Sequence, residues 1–140
     1  MGKSCATWQG GLTFEIDQDG HQFVIDGPEE FGGRDLGPRP KNLVLSALIG
    51  CTGMDVVSIL DKMKVRDFGL KVSAEGELTD EHPRTFCSVK VIYRFTGMDL
   101  PDDKIEKAIK LSQEQYCGVS AILSLSAELS YEIIIDEMNN

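Results

Sequence analysis

The sequence predicts an α+β fold. Three observations carry this: β-type alternation in separate segments, one apolar run too long for a strand, and strands that come in groups rather than singly between helices. Residues 5–16, CATWQGGLTFEI, hold β-favouring side chains around a Gly10-Gly11 turn. Residues 21–26, HQFVID, follow as a partner strand across the Asp19-Gly20 turn. Residues 27–40 contain four Gly and three Pro, a long loop of the kind that carries a function or a contact. Pro40 suits the first turn of a helix. The stretch Leu43 to Leu60, LVLSALIGCTGMDVVSIL, is almost wholly apolar or small, and Asp61, Lys62, Lys64 and Arg66 mark its exit. Residues 68–78 read as a strand, Thr79 to Pro83 as a turn, and residues 85–95 as a second strand. Cys87 is expected on one face of that strand with Val89 and Val91. Pro101-Asp102-Asp103 opens another helix, its acids favoured by the dipole. Its inner face is Ile105, Ala108, Ile109 and Ser112, and it runs to Tyr116-Cys117, where Gly118 breaks it. A helical turn from Val119 to Leu123 and a strand over residues 125–135 complete the order ββ-α-ββ-α-β.

The long apolar run reaches the lower edge of a membrane-spanning length. Asp55 lies inside it, and a carboxylate near a bilayer centre costs about 2.5–3.5 kcal/mol. Ser46, Thr52 and Ser58 add to that cost, so a core helix is expected and no membrane partner. A helix apolar on nearly every side must be buried on nearly every side. One small sheet covers one face only. The remaining face is therefore expected to meet its counterpart across a homodimer, with Gly50 and Gly53 allowing close approach.

At 140 residues, with 41% hydrophobic and 26% charged side chains, the chain reads as one domain, 1–140, with a core of its own. The net charge of −9 opposes binding to nucleic acid or anionic lipid, and no basic block offsets it. No apolar leader stands at the N-terminus, so a cytoplasmic location with reduced thiols is expected. The four cysteines, Cys5, Cys51, Cys87 and Cys117, are unclustered, and His21 and His82 sit in polar stretches; no metal and no cofactor is expected.

A cysteine on an apolar helix usually behaves as a small hydrophobe. Cys87 fits that role, and Cys5 lies near the terminus. Cys51 and Cys117 differ in setting. Cys117 lies where one helix ends and another begins, where amide N–H groups favour thiolate. Cys51 sits about 16 Å beyond Pro40 along the helix axis, past the reach of the dipole. It needs an outside cation, and Arg34 and Arg39 in the preceding loop are the candidates. Asp55, one turn on, opposes thiolate formation if it points at the sulfur.

GPRPKNLVLSALIGCTGMDVVSILDKMKV and LSQEQYCGVSAILS resemble the two signature segments of the OsmC/Ohr family, and the element order agrees along nearly the whole chain. That resemblance implies an OsmC-like fold with a long buried central helix, in an intertwined homodimer. It implies a thiol-dependent peroxidase: Cys51 would attack an organic hydroperoxide and become a sulfenic acid, and Cys117 would resolve it to a disulfide. An external dithiol, lipoyl-linked in many relatives, would reduce the pair. Well-characterised peroxidases of the family carry a Glu just after the helix-initiating Pro, paired with an Arg. Here the stretch is Pro40-Lys41-Asn42, so the resemblance is to a less characterised branch. Arg34 or Arg39 would then serve as the cation, with Glu114 to orient it. The alternative on the same fold is a binding protein for a small hydrophobic ligand, and a third reading is a structural dimer with inert thiols.

Overall fold

The structure, a computed structural model, describes residues 1–138. Backbone contacts divide it into two compact units, Met1–Val44 and the chain from Leu45 onward.

The first unit is an antiparallel sheet of three strands, β1 (Ser4–Trp8), β2 (Phe14–Gln18) and β3 (His21–Ile25), with β2 in the centre. The segment 5–16 is thus two strands. Gly10 and Gly11 make the reversal in left-handed backbone (φ 95° and 54°), which glycine adopts at little cost. The loop after β3 is organised by one carboxylate. Asp26 is 1% exposed, and it accepts hydrogen bonds from the Thr13 hydroxyl (2.8 Å) and from the amides of Gly27 (2.8 Å), Arg34 (3.3 Å) and Leu36 (3.3 Å). Gly37 is required by packing: a Cβ there would sit on the Val24 carbonyl.

Helix α1 (Pro40–Lys62) begins at the end of this unit and continues as the first element of the second. A sheet of β4 (Phe68–Leu78), β5 (Phe86–Gly97) and β6 (Glu128–Glu137) follows, with β5 central. β4 and β5 form the expected antiparallel hairpin. β6 lies parallel to β5, reached through α2 (Asp102–Leu111), a π-helical turn (Ser112–Tyr116) and α3 (Gly118–Leu123). The core joins Leu48, Val56 and Leu60 of α1 to Val89, Val91, Tyr93 and Phe95 of β5 and Ile105 and Ile109 of α2.

The α+β class and the order of helices hold, and three local expectations change. The buried positions of α1 are Leu48, Thr52, Val56 and Leu60, one stripe at a spacing of four, whereas Met54 is 77% exposed. Within one chain the helix is therefore not buried on every side, because a three-stranded sheet and α2 cover only one stripe. Cys87 is exposed instead of facing inward with Val89 and Val91. The register shifts here: Ser88 pairs with Glu77 and Phe86 with Leu78, so Cys87 is the extra residue of a bulge. Gly118 opens α3 rather than ending α2. The break falls on Cys117, which is extended (φ −76°, ψ 102°) and caps α3.

Candidate active site

α1 carries Cys51 about three turns after Pro40, and the junction between the π-helical turn and α3 carries Cys117. The polar run Ser112-Gln113-Glu114-Gln115-Tyr116 widens the end of the α2 helix, and the Cys117 amide closes it on the Ser112 carbonyl (2.8 Å). π-turns of this kind are frequent at functional sites. The result is a cluster: the sulfurs of Cys51 and Cys117 and a carboxylate oxygen of Asp55 all lie within 4.8 Å of one another. Both thiols are free; Cys51 is half-buried and Cys117 is 4% exposed.

The Ser120 amide donates a hydrogen bond to Cys117 Sγ (3.4 Å). Burial pushes the Cys51 thiol above the ordinary thiol range, and Cys117 and the Asp55 charge push it the same way; the backbone amide of Val119 pulls in the other direction. Asp55 therefore opposes thiolate at Cys51, as its position one turn on suggests.

Behind the cluster runs a chain of buried polar groups. Ser112 Oγ donates to Asp55 Oδ2 (3.0 Å). Thr52 Oγ1 lies 2.8 Å from Ser112 Oγ and 2.6 Å from the Tyr93 hydroxyl. Gln113 Nε2 donates to that hydroxyl (2.6 Å), and Ser120 Oγ donates to Gln113 Oε1 (3.2 Å). No buried side-chain nitrogen or oxygen among the described residues lacks a partner. These five residues escape a search of the sequence for reactive groups. Their signal is faint: Thr52 and Ser112 are hydroxyls on otherwise apolar helix faces, and Tyr93 faces inward on β5.

Two hollows reach the edge of the cluster, one at Cys117 and one at Asp55. One of about 450 Å³ is lined by Cys117, Tyr116, Ser120, Leu129 and Tyr131, among others. A second of about 400 Å³ is lined by Asp55, Ser58, Ile59, Lys62, Leu111 and Tyr116. Both lie within the size range of small-molecule sites.

Glu114 is exposed on the first hollow and takes part in no ion pair among the described residues. Arg34 and Arg39 belong to the first unit and are engaged there. Arg34 donates to Thr13 Oγ1 (2.7 Å) and to the carbonyls of Gln9 (3.0 Å) and Gly10 (3.4 Å), whereas Arg39 pairs with Asp35 (2.7 Å). Cys5 and Cys87 are exposed. The fold also brings together three ligand-type atoms that are scattered in the sequence. Two thiols and one carboxylate fall one short of the four ligands that close a structural zinc site; they stand as two thiols beside an acid.

Relatives share this arrangement of elements. Residues 32–132 match the family of OsmC-like proteins. The Protein YhfA of Escherichia coli K12 is 36% identical over 130 residues, covering 91% of this chain and 94% of its own length. Among solved structures, a hypothetical protein from Aquifex aeolicus VF5 superposes with a TM-score of 0.82 at 24% identity, covering 97% of this chain and 98% of that one. The organic hydroperoxide resistance protein OhrB of Bacillus subtilis superposes with a TM-score of 0.68 at 17% identity, covering 95% and 97%. From the family match over residues 32–132 and the 36% identity along nearly its whole length, the chain belongs to the family of OsmC-like proteins.

Proposed function

We propose that the protein is a thiol-dependent peroxidase for organic hydroperoxides, acting in the cytoplasm in defence against oxidative stress. One observation carries this reading: two free thiols, 66 positions apart in the chain, lie with their sulfurs within 4.8 Å beside two open hollows. A disulfide between them needs only a local movement, since its S–S bond is about 2.05 Å. Cys51, the less buried thiol, attacks an oxygen of the hydroperoxide. The O–O bond breaks, an S–O bond forms, and the alcohol leaves. The sulfenic acid then condenses with the Cys117 thiol, forming the S–S bond and releasing water. An external dithiol, lipoyl-linked in the first instance, reduces the disulfide, and no bound cofactor takes part. Arg34, Arg39 and Glu114 stay as candidates for activating Cys51.

A homodimer is part of the proposal. Members of the family are commonly dimeric. α1 and β4 present an open groove of about 700 Å³, lined by Ile49, Gly50, Gly53, Met54, Val57 and Val72 among others, that suits a second copy.

The test is consumption of tert-butyl or cumene hydroperoxide with dihydrolipoamide as donor. Wild type should turn over and Cys51→Ser should not. Equal, slow consumption by both would reject the reading. A second reading, a binding protein for a small hydrophobic ligand, draws on the absence of an acid after Pro40. A co-purified ligand in native mass spectra, without turnover, would favour it.

A further inference from the structure

The buried polar chain behind the cluster has only one consistent polarity. A carboxylate oxygen only accepts, so Ser112 must give its single hydroxyl proton to Asp55. Ser112 Oγ then accepts from Thr52, whose oxygen accepts from Tyr93. The Tyr93 oxygen accepts from the Gln113 amide, and the Gln113 carbonyl accepts from Ser120. Five hydrogen bonds in series thus point their protons toward one carboxylate. Ser112 occupies Oδ2, and the other oxygen of Asp55 accepts no hydrogen bond among the described residues. The network thus anchors one oxygen of this half-buried carboxylate and leaves its other oxygen open, beside two thiols within 4.8 Å.

We propose that Asp55 is the proton carrier of the thiol pair, taking the proton of each reacting thiol and delivering it to the departing oxygen. The inference rests on the peroxidase reading and names a catalytic residue for it. In the first step the Cys51 S–H proton passes to Asp55 as the sulfur attacks. The O–O bond breaks, and Asp55 returns the proton to the alkoxide, which leaves as alcohol. In the second step the Cys117 proton passes to Asp55 as the S–S bond forms. The hydroxyl of the sulfenic acid takes that proton and leaves as water. Asp55 ends each step as it began. The 4.8 Å limit on the distances leaves room for a small rotation of the side chain or a single water to complete the contact.

This resolves the conflict at Cys51. A negative charge beside a reactive thiol disfavours free thiolate, which counts against a mechanism that needs preformed thiolate. It favours one in which the proton moves during the attack. Serine and threonine hydroxyls, Tyr93 and Gln113 act here as positioning residues.

The test reads two rates in Asp55→Asn, an isosteric change that keeps an acceptor for Ser112. Alkylation of Cys51 by iodoacetamide at neutral pH is followed by peptide mass, so that Cys5 and Cys87 do not contribute. It should speed up severalfold, since a charge opposing thiolate is gone. Consumption of tert-butyl hydroperoxide should fall by about 100-fold, the lower end for loss of a general acid–base group. Asp55→Glu should keep part of the turnover, and a matching melting curve shows that the fold persists. If alkylation and turnover both rise in Asp55→Asn, Asp55 is only a restraining charge and the inference is overturned. A wild-type protein that consumes no hydroperoxide overturns the peroxidase reading itself, and this inference with it.

Discussion

At the scale of single residues, the contrast between Cys51 and Cys117 decides what each thiol does. Cys117 is the more buried, caps α3 and holds the Ser120 amide, so it is fixed in place and shielded. Cys51 is less buried but its thiol is pushed up, first by burial and then by its neighbours Cys117 and Asp55. The sign of the pH dependence follows. Thiolate at Cys51 forms only above the ordinary thiol range of about 8.5, so its alkylation rate should still be climbing at about pH 10, where an unperturbed thiol has levelled off. Cys117→Ser removes one of the raising influences. It should therefore speed alkylation of Cys51 at a given pH, while blocking disulfide formation and leaving a dimedone-reactive sulfenic acid after peroxide treatment. No gain in alkylation in Cys117→Ser would show that the two sulfurs are not coupled as their separation implies.

At the scale of elements, two carboxylates organise two different pieces of chain. In the first unit, burial works to raise the pKa of Asp26, but bonds from the Thr13 hydroxyl and the amides of Gly27, Leu36 and Arg34 outweigh it and hold the carboxyl below its usual range. A carboxyl depressed on folding adds stability above its unfolded value, about 3.9, and loses it as pH falls through the folded value. Acid should thus loosen the loop only below about pH 4. Trp8, the sole tryptophan and part of this unit, reports it by fluorescence; Asp26→Asn, which has no carboxyl to protonate, should show the loosened loop already at neutral pH and lose this acid transition. In the second unit, Thr52 bridges Tyr93 and Ser112. Thr52→Val keeps the shape but leaves the Tyr93 proton without its acceptor and Ser112 without its donor. A loss of about 2 kcal/mol is expected, read as a lower urea midpoint at an unchanged slope. Both pieces were poorly legible from sequence. Gly-rich composition identified the loop but not the single buried acid that holds it, because Asp26 looks like the polar end of a strand. Hydroxyls inside an apolar run look like tolerated polarity until β5 places Tyr93 opposite them.

At the scale of the whole molecule, the class and the order of helices could be read directly, since a run of 18 residues that is almost wholly apolar or small admits few other readings. The register could not. Nothing in FCSVKV announces that Cys87 is the odd residue of a bulge, because a bulge is set by the pairing strand and not by the strand that carries it. The meeting of Cys51 with Cys117 was legible only through family resemblance, as no spacing rule joins residues so far apart. The mismatch at α1 leads to the final prediction. An 18-residue window of this helix has a mean hydropathy of 2.0, yet only 22% of that window is buried within the chain. Met54 and Val57 stand open on it, beside the groove against β4. Leaving that apolar face in water is unfavourable by roughly 25 cal/mol for each Å², and a second copy laid on the same face removes it from both chains. Dimerisation through α1 should therefore persist at micromolar concentration in light scattering. Met54→Lys places an ammonium at the centre of the contact without touching the stripe Leu48, Thr52, Val56 and Leu60. It should move the protein to monomer while the core of the second unit stays folded, as judged by far-UV circular dichroism. A wild type that scatters as a monomer, or a Met54→Lys variant that stays dimeric, would place the covering of this helix elsewhere.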